Sequence, residues 1–548
     1  MSNKEIANAF DLLAKIMELH NENPFKIRSY QNAYLTLRKL DTPLADFGME
    51  QLMEIKGIGE AIAEKIQSLV KTGSMPTLEK YLAKTPPGVV EMLKINGLGP
   101  KKVATLWHEH GFASPGELLY ACNENRLIEL KGFGEKTQSA IIKAIGFLQS
   151  SEGKYLHHLV TYHANEIINM LGLAVPGSVT ILTGSLRRGV PIVETMELLT
   201  TCSRVQLEKF MKNQPFEWDL PSKNNDKGMW QEFLPIHFYF TTGHDLIHDL
   251  VSTTGPRSFA QHVLDSPDKS FNTETELFKS KHLPYISPEL RDIQHIEKWS
   301  QKELDLLINH QYIKGIIHCH STYSDGIHSL EAMATEAQVC GYEYLVITDH
   351  SQAAAYANGL KLEQLEAQWL EIDHLNQKLH PFKILKGIEC DILAHGDLDY
   401  NEEILSRFEL IIGSIHSVFN MDETKATHRL IRAIENPFTN IIGHPSGRLL
   451  LSREGYPLDY ARILDACKAN QVAIELNANP QRLDIDASHI TKCVESGVYV
   501  AINPDAHNKT SIKDINYGLI SARRGALHAS LCLNTMTANE LISFCKKR

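Results

Sequence analysis

Nine side chains suited to binding cations recur at the ends of short apolar runs in the last 240 or so positions. They are His318 and His320 in GIIHCH, Asp325 just beyond it, His350 in YLVITDH, Glu389 in FKILKGIEC, His416 in LIIGSIH, His444 in NIIGHP, and Asp505 and His507 in VYVAINPDAH. A lone histidine in such a place is ordinarily a hydrogen-bonded polar residue. With 26 histidines in 548 residues, however, four separate runs ending in histidine, plus one His-x-His and one Asp-x-His pair, exceed chance. Residues i and i+2 of a strand share a face, so each pair aims one way, and Cys319 between the two histidines aims the other. Nine polar or charged groups are costly to crowd together without compensation, and divalent cations provide it. The set exceeds one tetrahedral site and suits two or three ions. Mixed imidazole and carboxylate donors favour Mn, Zn or Fe over an all-oxygen Mg or Ca site. Close cations bind a phosphate and activate water, so the expected chemistry is phosphoester hydrolysis. Amide hydrolysis is the chemical competitor.

Seven strands must position these residues: 315–320, 344–350, 382–390, 410–416, 440–445, 472–477 and 498–507. Helical patterns separate most of them, which predicts a parallel βα barrel of seven strands. The C-terminal ends of barrel strands converge on one face, so the nine side chains converge as well. Residues 150–280 read as mixed α/β, with strands at 179–184 and 233–242. The segment LPYISPELRD reads as the start of a linker leading into a helix at 292–310. Residues 1–150 carry apolar residues at helical spacing throughout. The expected domains are 1–85, 86–150, 151–282, a linker 283–312, and 313–548.

Within the helical region one pattern occurs three times: IKGIGEAIAEKI at 55–66, INGLGPKKVATLW at 95–107 and LKGFGEKTQSAII at 130–142. Gly57 and Gly59, Gly97 and Gly99, and Gly132 and Gly134 each precede a helix. Glycine tolerates positive φ and lets backbone N–H groups approach an anion at the helix N-terminus. A nucleic-acid phosphate fits there without base contacts, and Lys101, Lys102 and Lys136 follow two of the turns. The plainer reading, a packing hairpin, suffices for one copy but not for three.

Composition narrows the class. With 22% charged and 43% hydrophobic residues, the chain is neither disordered, collagenous nor coiled coil as a whole. No apolar run is long enough to span a bilayer, and the amphipathic N-terminus is no signal peptide. Nine scattered cysteines without a CxxC pair read as reduced thiols of a cytoplasmic protein. The net charge of −11 opposes a surface that binds nucleic acid everywhere. Residues 1–150 are nearly neutral, with 18 Lys+Arg against 17 Asp+Glu, so the acidity lies in the remainder, where cations are needed.

The strand ends HCHSTYSDG, ITDHS, GIECDI, GSIHS, GHP and NPDAH resemble the polymerase and histidinol phosphatase (PHP) phosphoesterase domain, with all nine ligand positions filled. The resemblance implies a distorted (β/α)7 barrel with a trinuclear site. It places His318, His320, Glu389 and Asp505 on one ion, Asp325, His350 and His507 on the second, and Glu389, His416 and His444 on the third. Arg448, in GHPSGRLLL, is a phosphate-contact candidate, with a surface arginine as the plainer reading.

The helix-hairpin-helix units, then GSLRRG, then LPYISPELRD before that barrel, resemble the bacterial family X DNA polymerases. In that family the GSxRRG turn cradles an incoming triphosphate, and Gly184, Ser185 and Arg188 fill its positions. The three family carboxylates that hold two Mg ions fall on Thr195, Glu197 and, near the third position, His237. A shifted register through Glu194 and Glu197 breaks strand alternation. The resemblance therefore implies an α/β nucleotidyltransferase-like palm that has lost polymerase activity. Lys65 matches the family's lyase lysine, a Schiff-base nucleophile; a helix-surface lysine is the plainer reading.

The implied function is a metal-dependent 3′→5′ exonuclease in DNA repair, with abasic-endonuclease or 3′-phosphatase activity as variants of the same hydrolysis. Its partners would be gapped, recessed or single-stranded 3′ ends of DNA, bound by a monomer away from membranes. The alternatives are a small-molecule phosphatase of the histidinol phosphatase type and a non-catalytic scaffold that binds DNA ends.

Overall fold

The computed structural model describes every residue except 41, 124–126, 129, 220–225, 265–269, 293–298 and 547–548, and the side chains of 120, 123, 147 and 149–151 are likewise outside the description. The chain divides into two compact units, Met1–Glu152 and Gly153–Arg548. Among the described residues no helix is long and apolar enough to cross a membrane.

The first unit is helical. Its first helix, Asn3–Leu19, starts in a capping box in which the Ser2 hydroxyl accepts from Glu5 N and the Glu5 carboxylate reaches back. Phe10, Leu13, Tyr30, Leu52, Ile58 and Ile66 pack into one core. A second core joins Val89, Met92, Leu98, Leu106, Leu118, Phe133 and Ile145.

The three repeats fold alike. The residue between the two glycines donates its N–H to the carbonyl three residues back: Ile58 to Ile55 at 2.9 Å, Leu98 to Ile95 at 3.1 Å, and Phe133 to Leu130 at 3.0 Å. That closure requires left-handed backbone at the first glycine, with φ of +91° at Gly57, +86° at Gly97 and +91° at Gly132. The residue between the glycines is buried each time. Helices Glu60–Thr72, Pro100–His108 and Glu135–Ser151 follow. Gly59 and Gly99 cap the first two without a side-chain bond.

The second unit opens with a five-stranded sheet in the spatial order Thr180–Leu182, Met196–Thr200, Leu234–Phe240, Lys227–Trp230, Phe216–Trp218. Helix His157–Ala174 packs Val160, Ile167 and Leu171 into the same core as Leu198, Ile236 and Phe238. The expected helix at 292–310 is a correction. Its first residues fall partly in 293–298, outside the described residues, and the remainder forms only the short helix Gln301–Asp305 and a 3-10 turn at His310–Tyr312. Leu306, Leu307 and Ile308 leave the helix because backbone bonds tie Ile308 to Leu527 and Ala529 to Leu306.

The seven barrel strands are Gly315–Cys319, Tyr344–Ile347, Lys383–Asp391, Leu410–Ser414, Ile441–Ile442, Ala473–Asn477 and Val500–Asn503, all parallel and paired in sequence order. Most positions are buried, as a parallel sheet covered on both faces requires. The first and seventh strands close the barrel just beyond their regular parts. Here His320 N donates to Ala506 O at 2.9 Å and Ala506 N donates to His318 O at 3.2 Å. At the other end Leu541 and Phe544 of helix Ala538–Cys545 pack against Ile317, Tyr344, Val346, Leu385 and Leu410. The barrel is thus plugged with hydrocarbon at the end away from the C-terminal ends of its strands.

Candidate metal centre

The mouth of the barrel brings all nine cluster residues together. Glu389 lies at the centre. Its Oε1 is 3.3 Å from His318 Nε2, 3.2 Å from His416 Nε2 and 3.0 Å from His444 Nε2, and its Oε2 is 3.0 Å from His350 Nδ1. Asp505 Oδ1 lies 3.1 Å from His320 Nε2 and 3.5 Å from His318 Nε2. Asp325 sits 3.6 Å from His350 Nε2 and 3.4 Å from His507 Nε2. Three groups of donor atoms lie within 4.8 Å of one another: His318, His320 and Asp505; His320, Asp325, His350 and His507; and His350, Glu389 and His416. His320 and His350 therefore each stand between two groups. His444 touches Glu389 without joining a group.

The local backbone is unusual where these residues sit. His318 has φ +66°, His444 +24° and Asp505 +52°, all in the left-handed region and none at glycine. Such conformations cost about 1–3 kcal/mol each and collect at functional sites. The pairing of the first strand with the second slips between Ile316 and Cys319. His318 and His320 thus both reach the cluster through a bulge, rather than through the regular alternation expected from their spacing.

Four residues of the support were not singled out from sequence. Glu475, fully buried on the sixth strand, lies 2.5 Å from His318 Nδ1 through Oε1, and its Oε2 accepts from His444 N at 2.6 Å. Asn503 Nδ2 donates to Glu475 at 2.8 Å. Asp391 holds His416 Nδ1 at 2.6 Å. A carboxylate only accepts, so each imidazole presents its Nε2 to the cluster, as metal-ligating histidines do. Asp349 accepts from Ser321 N at 2.7 Å and from Gln368 Nε2 at 2.7 Å, which shapes the loop carrying Asp325. The signal was present: Glu475 and Asn477 repeat the i, i+2 pattern at the end of the sixth strand, and Asp391 stands two beyond Glu389.

Without an ion, the buried imidazoles and carboxylates compensate one another. Burial alone would raise the carboxyls of Glu389 and Asp505, but the surrounding imidazoles outweigh it and hold both well below the ordinary range. Burial would also depress His416 and His507. Glu389 and Asp391 instead raise His416 to about 10, and Asp325 and Asp505 raise His507 to about 9. Burial, with His507 and His350 beside it, lowers His320 to about 4. His318 Nε2, His320 Nδ1 and His444 Nδ1 are buried without a hydrogen-bond partner among the described residues. Unpartnered buried nitrogens beside ionised carboxylates are the donor set that divalent cations satisfy.

Arg448 does not face this cluster. Its guanidinium donates to Arg482 O at 3.1 Å and to Leu483 O, and lies 3.5 Å from Asp486. The arginine that reaches the cluster is Arg482, with Nε 3.9 Å from Asp505 Oδ2.

In the five-stranded sheet, Glu197 lies directly opposite His237. A cleft of about 380 Å³ there is lined by Ser185, Glu194, Thr195, Glu197, Asp219, Lys227 and His237. Among the described residues, however, clustered metal-ligand groups occur only in the barrel. The Glu197 carboxylate is turned onto the GSLRRG turn. Ser185 N donates to it at 3.1 Å and Tyr239 OH at 3.1 Å, and a Cβ at Gly184 would overlap it. Arg188 donates to Asp292 at 2.8 Å and to Thr254 O, and Asp292 also accepts from Arg524 at 2.8 Å. The chain's own groups thus occupy the donors of the turn. In the helical unit, Lys65 Nζ donates to Ala61 O at 2.9 Å and lies 5.8 Å from the centre of the Tyr30 ring. Lys102 lies 5.8 Å from the Phe133 ring centre, which links the second turn to the third.

Residues 1–75 match the helix-hairpin-helix domain family, residues 89–146 the SAM-like helix-hairpin-helix tandem and residues 317–479 the PHP domain. A seven-stranded barrel with this cluster is a PHP phosphoesterase domain, and the chain is a multidomain enzyme built around it. Over its full length the chain is 32% identical to the DNA polymerase/3′-5′ exonuclease PolX of Bacillus subtilis, the match covering 100% of each protein. The chain belongs to the PolX family of PHP-bearing family X polymerases. Over 231 residues, 40% of the chain, it is also 29% identical to a protein named "Probable phosphatase" from Thermoanaerobacter sp., covering 89% of that protein. A protein of the same name from Caldicellulosiruptor bescii is 31% identical over 36% of this chain and 80% of its own length.

Proposed function

We propose that the barrel is a divalent-metal-dependent 3′→5′ exonuclease acting on DNA ends, and that the five-stranded domain no longer polymerises. The observation that carries the first reading is the set of buried, unpartnered imidazole nitrogens around three ionised carboxylates at the C-terminal ends of the barrel strands. The full-length relationship to an enzyme named as a 3′-5′ exonuclease supports it, as do three turns suited to gripping phosphate backbones.

We assign His318, His320, Glu389 and Asp505 to one ion, Asp325, His350 and His507 to a second, and Glu389, His416 and His444 to a third, with Mn, Zn or Fe as the metals. When bound, the ions supply Lewis acidity toward the phosphodiester and activate water. Glu475 and Asp391 orient His318 and His416. The hydrocarbon plug below the cluster keeps water to one side, and Arg482 offers a cation to a phosphate oxygen.

The domain reading places a lyase-like helical domain at 1–85, helix-hairpin-helix fingers at 86–150, the palm and thumb at 151–282, a linker at 283–312 and the barrel at 313–548. Nine cysteines that form no disulfide fit a reducing, cytoplasmic compartment. The palm reading rests on Glu197 lying on the Ser185 N–H and on Arg188 being held by Asp292. Both donors are then unavailable to a triphosphate, and Thr195 and His237 cannot replace hard carboxylates for Mg.

The test is cleavage of an end-labelled duplex with a recessed 3′ end in the presence of Mn. A 3′→5′ ladder that disappears in His318→Ala/His320→Ala is expected. Release of phosphate from monoesters without a ladder would favour the phosphatase reading that the barrel-only relatives suggest. Templated nucleotide addition abolished by Glu197→Ala would refute the palm reading.

A further inference from the structure

Tyr356 stands on the loop after the second barrel strand, in a 3-10 turn spanning Ala355–Ala357. The residue is 69% exposed, while Ala354 and Ala357 on either side are buried. The loop itself is held firmly. Ser351 pairs with Leu360, Leu360 N donates to His350 O at 2.9 Å, and Ala353 N donates to Asp399 at 2.7 Å. Asn358, at φ +56°, reaches Ser324 O at 3.4 Å. A tyrosine contributes to folding by burying its ring, and this one buries little. Flanking alanines anchor the turn without it.

The position of the ring is not arbitrary. Its centroid lies 6.1 Å from that of His350, at an interplanar angle of 58°, and 6.3 Å from that of His416, at 67°. The ring therefore meets two cluster imidazoles at a steep angle and leaves a face to solvent at the rim of the barrel mouth. From the far side of the mouth, on the loop after the sixth strand, Arg482 reaches Asp505. An exposed aromatic face beside a phosphate-hydrolysing centre, with a guanidinium opposite, matches what single-stranded nucleic acid offers. Bases stack on aromatic rings, and cationic side chains follow the backbone.

We propose that Tyr356 is the stacking platform for the base of the terminal nucleotide while Arg482 contacts its phosphate, so that the barrel mouth itself distinguishes a nucleotide from a simple phosphoester. This rests on the exonuclease reading above. Stacking is indifferent to base identity, because every base has a π-face, so the platform selects for a base without selecting a sequence.

The experiment compares two otherwise identical 3′-recessed duplexes, one ending in a normal nucleotide and one in an abasic residue, with Mn and the full-length chain. Wild type is expected to show a KM about 5- to 150-fold lower for the base-bearing end. Tyr356→Ala is expected to erase that difference, and Tyr356→Phe and Tyr356→Trp to preserve it. If wild type cleaves both ends and Tyr356→Ala weakens both equally, or neither, the stacking proposal is overturned and the exonuclease reading stands. If wild type cleaves no DNA 3′ end, the exonuclease reading falls and the platform falls with it.

Discussion

Glu475 touches no expected substrate position, yet the geometry makes it a determinant of metal affinity. It is fully buried, holds His318 Nδ1 at 2.5 Å and accepts from His444 N at 2.6 Å and Asn503 at 2.8 Å. Burial alone would raise its carboxyl, but the His318 imidazole outweighs that and holds it below the ordinary range. In Glu475→Gln the side chain keeps its shape and loses its charge. One oxygen becomes an NH2, which must face His444 N–H, Asn503 or His318, and all three are donors. His318 loses the partner that fixes its tautomer and its aim. Removing such an outer partner ordinarily lowers metal affinity 10- to 100-fold, about 1.4–2.7 kcal/mol.

The assay is calorimetric titration of the full chain with Mn, run beside thermal unfolding with and without the ion. Wild type gains stability from the bound metal by mass action, and Glu475→Gln gains less. Glu475→Ala should lose about 1–3 kcal/mol of stability even without metal, because it leaves the buried His318 Nδ1–H without an acceptor. Glu475→Gln binding Mn within twofold of wild type would refute the reasoning, since His318 would then be held by something else.

Other expectations follow from the same geometry. Lys101→Ala/Lys102→Ala should weaken DNA binding across all sequences and flatten the log–log salt dependence by about 0.9 per lost phosphate contact; an unchanged slope refutes a phosphate role for the second hairpin. Burial pushes the Asp514 carboxyl up to about 7. Its folded-state pKa is raised, so its contribution to stability is complete below the unfolded value near 4 and is lost as pH rises toward 7. Asp514→Asn should therefore raise the thermal midpoint more at pH 8 than at pH 5; an equal shift at both refutes the burial argument. Lys65 is bonded to its own helix, so borohydride should trap no adduct with an abasic substrate. An adduct lost in Lys65→Ala would establish the lyase.

Much of the site was legible because its residue types are rare at strand ends. Seven apolar runs of strand length, separated by helical patterns, dictate a parallel barrel, and any such barrel gathers its strand ends on one face. Eight of the nine cluster positions stand at those strand ends, and Asp325 follows just beyond the first. The hairpins were legible for a similar reason: Gly-x-Gly before a helix has few backbone solutions, and the three copies adopt the same one.

The sequence could not decide direction and partnership. His318 and His320 share a side through a bulge at φ +66°, a conformation their spacing does not encode. Arg448 stood closer than Arg482 to a recognised strand end, yet loop carbonyls claim its guanidinium, because a long flexible side chain goes to whichever acceptors the tertiary fold presents. Glu475, Asp391 and Asp349 were visible only as acidic residues until the barrel closed and set them behind the imidazoles. The exposed ring of Tyr356 likewise acquires meaning only beside His350 and His416. Hydrophobic period and residue type determined the barrel, its mouth and the chemistry gathered there. Which nitrogen of each imidazole faces inward, and which cations remain free for a phosphate, was decided by contacts between strands far apart in sequence, because hydrogen bonds depend on distance and angle rather than on order along the chain.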